Sequence, residues 1–182
     1  MIDLPRLQQL LLAYDEEVKL FFYAYGLADL VVDKPVDHVA IKGLDREKYE
    51  EYLKTFAPIC ERISSKRIDE RDLAIGVLKN PLDGGTLGPV ASLEIMEPRP
   101  GAIPTTHDLI DHIEILVPDL EFIKEALKAK DVEFKEQANN DHSTVVVEIN
   151  EWGQEVKFTD RSLKDIADAQ IGDGIAKVLG GF

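Results

Sequence analysis

The sequence predicts an α+β protein in which two βαβββ modules pair into a mixed sheet, with a helical segment before them and a helix after them. The stretch DHVAIKGLD, which starts at Asp37, has a near copy, DHIEILVPD, which starts at Asp111. Each copy is followed by a helical pattern and then by three strand patterns. Self-similarity of this kind indicates that one structural unit occurs twice in the chain.

The first predicted element is a helix, or two helices, between Pro5 and about Leu30. Apolar residues recur there at steps of three and four, the spacing of a helix that buries one face. They are Leu7, Leu10, Leu11, Tyr14, Val18, Phe21, Phe22 and Tyr25. We expect this extension, residues 1–35, to dock on the rest of the protein.

The first module is predicted to cover residues 36–100. It opens with the strand DHVAIK, after Pro35, and continues with a helix in DREKYEEYLKTFA, for which Asp45 is the candidate N-cap. The remaining segments are a strand, a charged turn, a strand, a glycine-rich turn and a strand. In chain order they are ICERIS, SKRIDERD, LAIGVLK, NPLDGGTLGP and VASLEIME.

The second module, residues 108–160, follows a proline-rich connector and repeats this order. DHIEILVPD supplies its first strand and LEFIKEALKAK its helix, and the other three strands are VEFKEQ, STVVVEIN and QEVKFTD. Residues 161–182 predict a C-terminal helix with Asp160 or Ser162 near its cap. A chain of 182 residues suits one compact domain made of two such halves.

Composition excludes several classes of function. The chain holds 21 Lys and Arg against 35 Asp and Glu, a formal charge of −14, which repels nucleic acid and anionic membranes. Charges interrupt the apolar N-terminal stretch before the ~18–20 residues of a bilayer span, and it lacks the basic head and cleavage site of a signal peptide. The single cysteine, Cys60, cannot form an internal disulfide. We therefore expect a cytoplasmic protein.

Alternation along four strands places ionisable residues on one face of the predicted sheet. Val39 and Ile41 in the first copy, and Ile113 and Ile115 in the second, form the apolar face. The opposite face carries His38, Lys42, Glu94, His112, Glu114, Glu155 and Lys157. A solvated face is the ordinary explanation for such alternation. A solvated face does not readily explain why two of the chain's four histidines stand at equivalent positions of the two repeats.

Paired βαβββ modules that open with DH[V/I]xI and close with LEIMEP or VKFTD resemble the vicinal oxygen chelate superfamily, over about Val36 to Asp160. That superfamily includes glyoxalase I, extradiol dioxygenases and bleomycin-resistance proteins. DHVAIK, DHIEIL and KFTDRSLKDIADAQ, with the helical extension, resemble more narrowly the YecM-like proteins. The resemblance implies that the curved sheets enclose a cup. It also implies a divalent metal, Zn, Fe, Mn or Ni, bound by the first and fourth strands of each module.

The resemblance implies His38, His112 and Glu94 as metal ligands. Glu97 is an alternative to Glu94 as the carboxylate ligand, because a shift of the strand end would bring Glu97 to the ligand position. Alternation, however, places Glu97 on the opposite face of the strand from Glu94. The second module departs from the superfamily, because Lys157 stands where a carboxylate is expected.

Lys157 leaves three interpretations open. Its ammonium would be repelled by a bound cation, or it would replace the metal's charge beside Glu94. As a third possibility, burial and a nearby cation would favour the neutral amine, which could act as a general base. Lys157 and Glu114 are the candidate catalytic groups.

Two hypotheses follow. In the first, the protein is a metal-dependent enzyme of lyase, isomerase or dioxygenase type that acts on a small oxygenated metabolite. In the alternative, a non-enzymatic module binds a small acidic or zwitterionic ligand without a metal. The polar cup that holds it is lined by His38, Lys42, Glu94, His112, Glu114, Glu155 and Lys157. The candidate ligand-binding residues are Lys42, Arg99 and Glu155. A decayed site that serves only protein contacts is a third possibility. Both a monomer and a homodimer that exchanges modules are compatible with the sequence.

Overall fold

The computed structural model describes residues 3–68, 70–101, 110–138 and 143–162. Within these ranges, three α-helices lie against one eight-stranded sheet. The helices are α1 (Leu4–Ala24), α2 (Arg46–Phe56) and α3 (Leu120–Lys128). The strands are β1 (Val36–Lys42), β2 (Cys60–Ile68), β3 (Arg71–Asp83), β4 (Pro89–Met96), β5 (Ile110–Leu116), β6 (Lys135–Ala138), β7 (Ser143–Glu148) and β8 (Glu155–Thr159). Short 3-10 helices occupy Ala28–Leu30, Ala57–Ile59 and Gly85–Leu87.

The strand order shows that the two modules are built alike. It runs β2-β3-β4-β1-β5-β8-β7-β6, with the antiparallel pair β1 and β5 at the centre. In each module the opening strand pairs in parallel with the closing strand, β1 with β4 and β5 with β8. The predicted α+β fold class and the twofold βαβββ order are therefore confirmed.

Local signals in the sequence account for the starts of the helices. Asp3, Asp45 and Asp119 precede α1, α2 and α3, and each accepts a backbone hydrogen bond from the first turn. These bonds satisfy donors that a helix leaves unpaired at its start. The predicted C-terminal helix lies beyond Ser162, outside the described residues. Among the described residues, no helix is both long enough and apolar enough to cross a bilayer.

One predicted turn is shorter than expected. SKRIDERD was expected to be a charged turn, but β2 continues to Ile68 and β3 begins at Arg71. The chain reverses close to Glu70, which has a positive φ of 65°. Since β2 is the edge strand of its module, charged side chains along it remain compatible with sheet structure and protect the edge from further pairing.

The helices cover one face of the sheet. Phe22 of α1, Tyr52 of α2 and Leu127 of α3 join one hydrophobic core with Ile41 of β1. The rings of Phe22 and Phe158 meet edge to face, with their centroids 6.0 Å apart. The face that alternation predicted to be apolar is therefore the face that the helices cover.

The opposite face is enclosed rather than solvated. A separate small cluster of Ala40, Leu73 and Met96 lies there, and no residue of the described helices belongs to it. His38 and His112 on this face are each only 2% exposed, and Glu114 is 5% exposed. Burying an ionisable group costs free energy unless the group is paired or hydrogen-bonded. This face is therefore the candidate location of a functional site.

The helical extension is held by polar contacts as well as by its core residues. Asp15 of α1 is buried and accepts hydrogen bonds from the backbone N–H of Thr86, at 3.2 Å, and from its hydroxyl, at 2.6 Å. Tyr14 donates a 2.5 Å hydrogen bond to the carbonyl oxygen of Glu155. The extension thus contacts both modules.

Candidate metal centre

Two histidines from different modules meet at the centre of the sheet. Because β1 and β5 are neighbours and antiparallel, Ala40 lies opposite His112 and His38 lies opposite Glu114. The Nε2 atoms of His38 and His112 are 3.4 Å apart, and the rings stand at 77° to each other. The equivalent positions that the repeat singled out therefore form one cluster.

Each histidine is oriented by the aspartate that precedes it. The β1–β5 register contains one extra residue at Asp37 and another at Asp111. An extra residue of this kind re-aims its side chain, and here it turns the carboxylate towards the neighbouring ring. Asp37 Oδ2 lies 2.9 Å from His38 Nδ1, and Asp111 Oδ2 lies 3.0 Å from His112 Nδ1. With Nδ1 donating to a carboxylate, each Nε2 is left to face the centre of the cluster.

The second oxygen of each aspartate has a different partner. Ser162 donates a 2.5 Å hydrogen bond to Asp37 Oδ1, whereas the Lys42 ammonium lies 2.7 Å from Asp111 Oδ1. Lys42 was predicted to contact a ligand. In the structure its ammonium pairs with the carboxylate behind His112, and its contact with a ligand stays a prediction.

Two buried carboxylates complete the cluster. Glu94 Oε2 lies 3.8 Å from His38 Nε2 and 3.6 Å from His112 Nε2. Glu114 Oε2 lies 3.9 Å from His38 Nε2. Three residues each offer one ligand atom, and these three atoms all lie within 4.8 Å of one another. The residues are His38, His112 and Glu114.

Glu97, the rival to Glu94, lies elsewhere. It accepts hydrogen bonds from the backbone of Asp72, at 2.8 Å, and from the guanidinium of Arg46, at 3.2 Å. The two glutamates are three positions apart on or just past β4, so alternation sends them to opposite faces. The geometry therefore favours Glu94 at the histidines.

The remaining predicted residues lie at the margin of the cluster. Lys157 is the lateral neighbour of Glu114, but its ammonium lies 3.6 Å from Glu155 Oε2. In the part of the chain that the structure describes, Glu155 is thus its ion-pair partner, rather than Glu94. Arg99 is exposed in the segment that follows β4, and no described contact joins it to the histidines.

The two imidazoles differ in charge. Burial lowers the pKa of His38, but the hydrogen bond to Asp37 and the nearby Glu114 and Glu94 outweigh it and raise the pKa to about 9. Burial and the Lys157 ammonium lower the pKa of His112, and Asp111 only partly opposes them. Without a metal, His38 therefore carries a proton at neutral pH and His112 does not. His38 Nε2–H faces the lone pair of His112 Nε2.

The residues present fit a divalent ion. Ligand atoms that each lie about 2.1 Å from an ion are about 3.0 Å apart at a right angle and about 3.4 Å apart at the tetrahedral angle. The two Nε2 atoms are 3.4 Å apart, and Glu94 Oε2 is 3.6 and 3.8 Å from them. Side-chain shifts of a few tenths of an ångström would complete such a site. Imidazole and carboxylate donors suit Zn(II), Fe(II), Mn(II) and Ni(II).

Sequence reasoning missed the roles of three residues, Asp37, Asp111 and Ser162. The repeated Asp-His pair was a usable signal for the two aspartates. Strict alternation, however, places each aspartate on the face opposite its histidine, and only the extra residue in each strand reverses this. Ser162 had no signal beyond its possible place at a helix cap.

Comparison with known proteins places the fold. No family model matches the chain, and no curated protein matches its sequence. Among solved structures, protein EC4020 is 18% identical over 85% of this chain and 90% of its own, with a TM-score of 0.60. Methylmalonyl-CoA epimerase from Mycobacterium tuberculosis is 15% identical over 75% and 93%, with a TM-score of 0.52. Hypothetical protein BH1468 from Bacillus halodurans C-125 is 13% identical over 71% and 95%, with a TM-score of 0.50. At these identities the likeness shows the fold alone, which agrees with the two paired βαβββ modules described above.

Proposed function

We propose that the protein binds a divalent metal ion between His38, His112 and Glu94 and acts as an enzyme on a small oxygenated metabolite. One observation carries this proposal. Two buried Nε2 atoms lie 3.4 Å apart, and both rings are oriented from behind by carboxylates. Aspartates behind ligating histidines are the usual outer partners of protein metal sites.

The residues of the site would have different roles. His38 and His112 supply two nitrogen donors, Glu94 supplies an oxygen donor, and Asp37 and Asp111 orient the rings. A divalent ion held in this way acts as a Lewis acid on oxygen atoms of a bound substrate. Lys157, on the same face and beside Glu114, is the candidate to donate a hydrogen bond or a proton to that substrate. A lyase, isomerase or dioxygenase reaction would suit such a centre, and an epimerase of the same fold supports this range.

We also place the chain with the YecM-like proteins within this fold. The motifs DHVAIK, DHIEIL and KFTDRSLKDIADAQ support this grouping, and α1 supplies the helical extension. Since both histidines come from one chain, a monomer would hold a complete centre, and a homodimer is compatible with it.

The alternative, an acidic ligand bound without a metal, has weaker support. It needs cations that the protein has not already neutralised. Lys42 lies 2.7 Å from Asp111, and Lys157 lies 3.6 Å from Glu155. A thermal-shift screen of divalent metals against small carboxylic acids separates the two functions. Stabilisation by acids alone would favour the alternative.

Metal analysis of freshly purified protein tests the proposed function. We expect a stoichiometric divalent metal in the wild type and its loss in His38→Ala and in His112→Ala. Glu97→Gln is the matched control, because Glu97 is a partly buried carboxylate of the same region that bonds Arg46 and the Asp72 backbone. Metal content that does not respond to either histidine substitution would refute the proposal.

A further inference from the structure

We propose that Glu114 of β5 is a fourth protein ligand of this centre, so that two imidazoles and two carboxylates hold the ion. The inference rests on the proposed function. It assigns a ligand role to Glu114, which the sequence suggested as a catalytic group. It also narrows the class of metal.

The register of the sheet places four side chains on one face, in two adjacent rows. One row across the strands contains Glu94, Ala40 and His112, and the adjacent row contains His38, Glu114 and Lys157. The histidines are thus diagonal to each other, and so are the glutamates. Ala40 separates Glu94 from His112 in the first row and has the smallest side chain of the three, so it takes up little of the space between them. The two carboxylates would approach an ion from opposite sides.

Glu114 is a buried carboxylate whose positive neighbour in the metal-free protein, His38, is not close enough to donate a hydrogen bond to it. Its side chain is 7% exposed, and its Oε2 lies 3.9 Å from His38 Nε2, which is beyond hydrogen-bond distance. Across the described ranges, neither Glu94 nor Glu114 receives a hydrogen bond. Lys157 is the lateral neighbour of Glu114, but its ammonium lies at Glu155. Burying an ionised carboxylate without a bonded partner is costly, and a divalent ion would compensate both glutamates at once.

Four protein ligands constrain the identity of the metal. A tetrahedral zinc ion would be closed by them, and no position would remain for a substrate. A six-coordinate ion such as Mn(II), Fe(II) or Ni(II) would keep two positions open. The two carboxylates also balance the double charge of the ion, so the loaded centre is neutral when both imidazoles are neutral.

The test compares Mn²⁺ affinity, measured by calorimetry, and the visible spectrum of the Co²⁺-loaded protein in four forms. These are the wild type, Glu114→Gln, the control Glu97→Gln and the double variant Glu114→Gln/Lys157→Glu. The double variant moves the carboxylate to the neighbouring strand in the same row. Thermal unfolding of each metal-free form shows whether it folds.

We expect Glu114→Gln to weaken Mn²⁺ binding by more than the ~10–100-fold that loss of an outer partner costs. Its Co²⁺ spectrum should change, because the set of ligands changes. Glu97→Gln should match the wild type in both measurements, and the double variant should bind more tightly than Glu114→Gln.

Three results would overturn the inference. They are a Glu114→Gln affinity equal to that of the wild type, a weaker affinity with an unchanged Co²⁺ spectrum, and a double variant that binds no better than Glu114→Gln. Each leaves the proposed function standing if the wild type still binds metal through its histidines. A wild type that binds no Mn²⁺ or Co²⁺ would instead refute the proposed function, and the inference with it.

Discussion

The Nε2 atoms of His38 and His112 lie 3.4 Å apart, although the two residues belong to different modules. Each ring contacts the preceding aspartate at an extra residue in its strand, so the Asp-His pair has the same geometry in both halves of the molecule. The repeated motif thus encodes an oriented donor rather than a histidine alone.

Removing the charge behind either histidine should weaken metal binding. Asp37→Asn and Asp111→Asn leave the side-chain size nearly unchanged but remove the carboxylate that fixes the tautomer and raises ligand basicity. We expect each to lower metal affinity by ~10–100-fold, measured by calorimetry with Mn²⁺. Asp131→Asn is the control, because Asp131 is exposed and its positive φ of 54° is one that asparagine tolerates. Affinities equal to that of the wild type would show that the aspartates have no such role.

The metal-free protein should lose stability as the pH rises above neutrality. The pKa of His38 is raised from 6.5 to about 9 in the folded protein, so the folded state holds this proton more tightly than the unfolded state. The stabilisation is therefore fully present below pH 6.5 and is lost as the pH rises through 9. For a shift of this size it is worth roughly 3 kcal/mol.

Urea unfolding in the presence of a chelator, at a series of pH values, measures this effect. The pH dependence between pH 6.5 and 9 should be much smaller in His38→Gln than in the wild type. The lowered pKa of His112 acts below pH 6.5 and so lies outside this window. Parallel curves for the two proteins would contradict the charge assigned to His38.

The attachment of α1 depends on a buried carboxylate. Asp15→Ala removes the acceptor for the Thr86 hydroxyl and backbone N–H, and we expect it to reduce the free energy of unfolding by ~1–3 kcal/mol. Glu16→Ala is the neighbouring control, because Glu16 is exposed and pairs only with Lys19 among the described residues. Its effect should stay within ~1 kcal/mol. Equal effects of the two substitutions in denaturant unfolding would show that the Thr86 contact contributes little.

Much of the fold follows from two regularities of the sequence. The repeat predicted that His38 and His112 would be equivalent, and alternation separated Glu94 from Glu97. Both regularities reflect backbone geometry, which depends little on distant parts of the chain. Sequence reasoning overestimated the length of the turn in SKRIDERD, because charged residues on an edge strand have the composition of a turn.

The outer partners of the site were harder to predict. An extra residue in one strand leaves the hydrophobic pattern on either side intact, so the re-aimed side chains of Asp37 and Asp111 have no signature in the pattern. Alternation also gives the face of Lys157 but not its partner, because a long side chain can reach several carboxylates. Its contact with Glu155 became clear only in three dimensions.

A crystal of the protein grown or soaked with Mn²⁺ would test the central claim most directly, through the anomalous difference map. We predict a single strong peak between the two modules, about 2.0–2.2 Å from Nε2 of His38 and of His112 and from a carboxylate oxygen of Glu94. Density for the ion should disappear in His112→Ala. A map from a fully soaked crystal with no peak between the two histidines, or with its main peak at other residues, would contradict the claim.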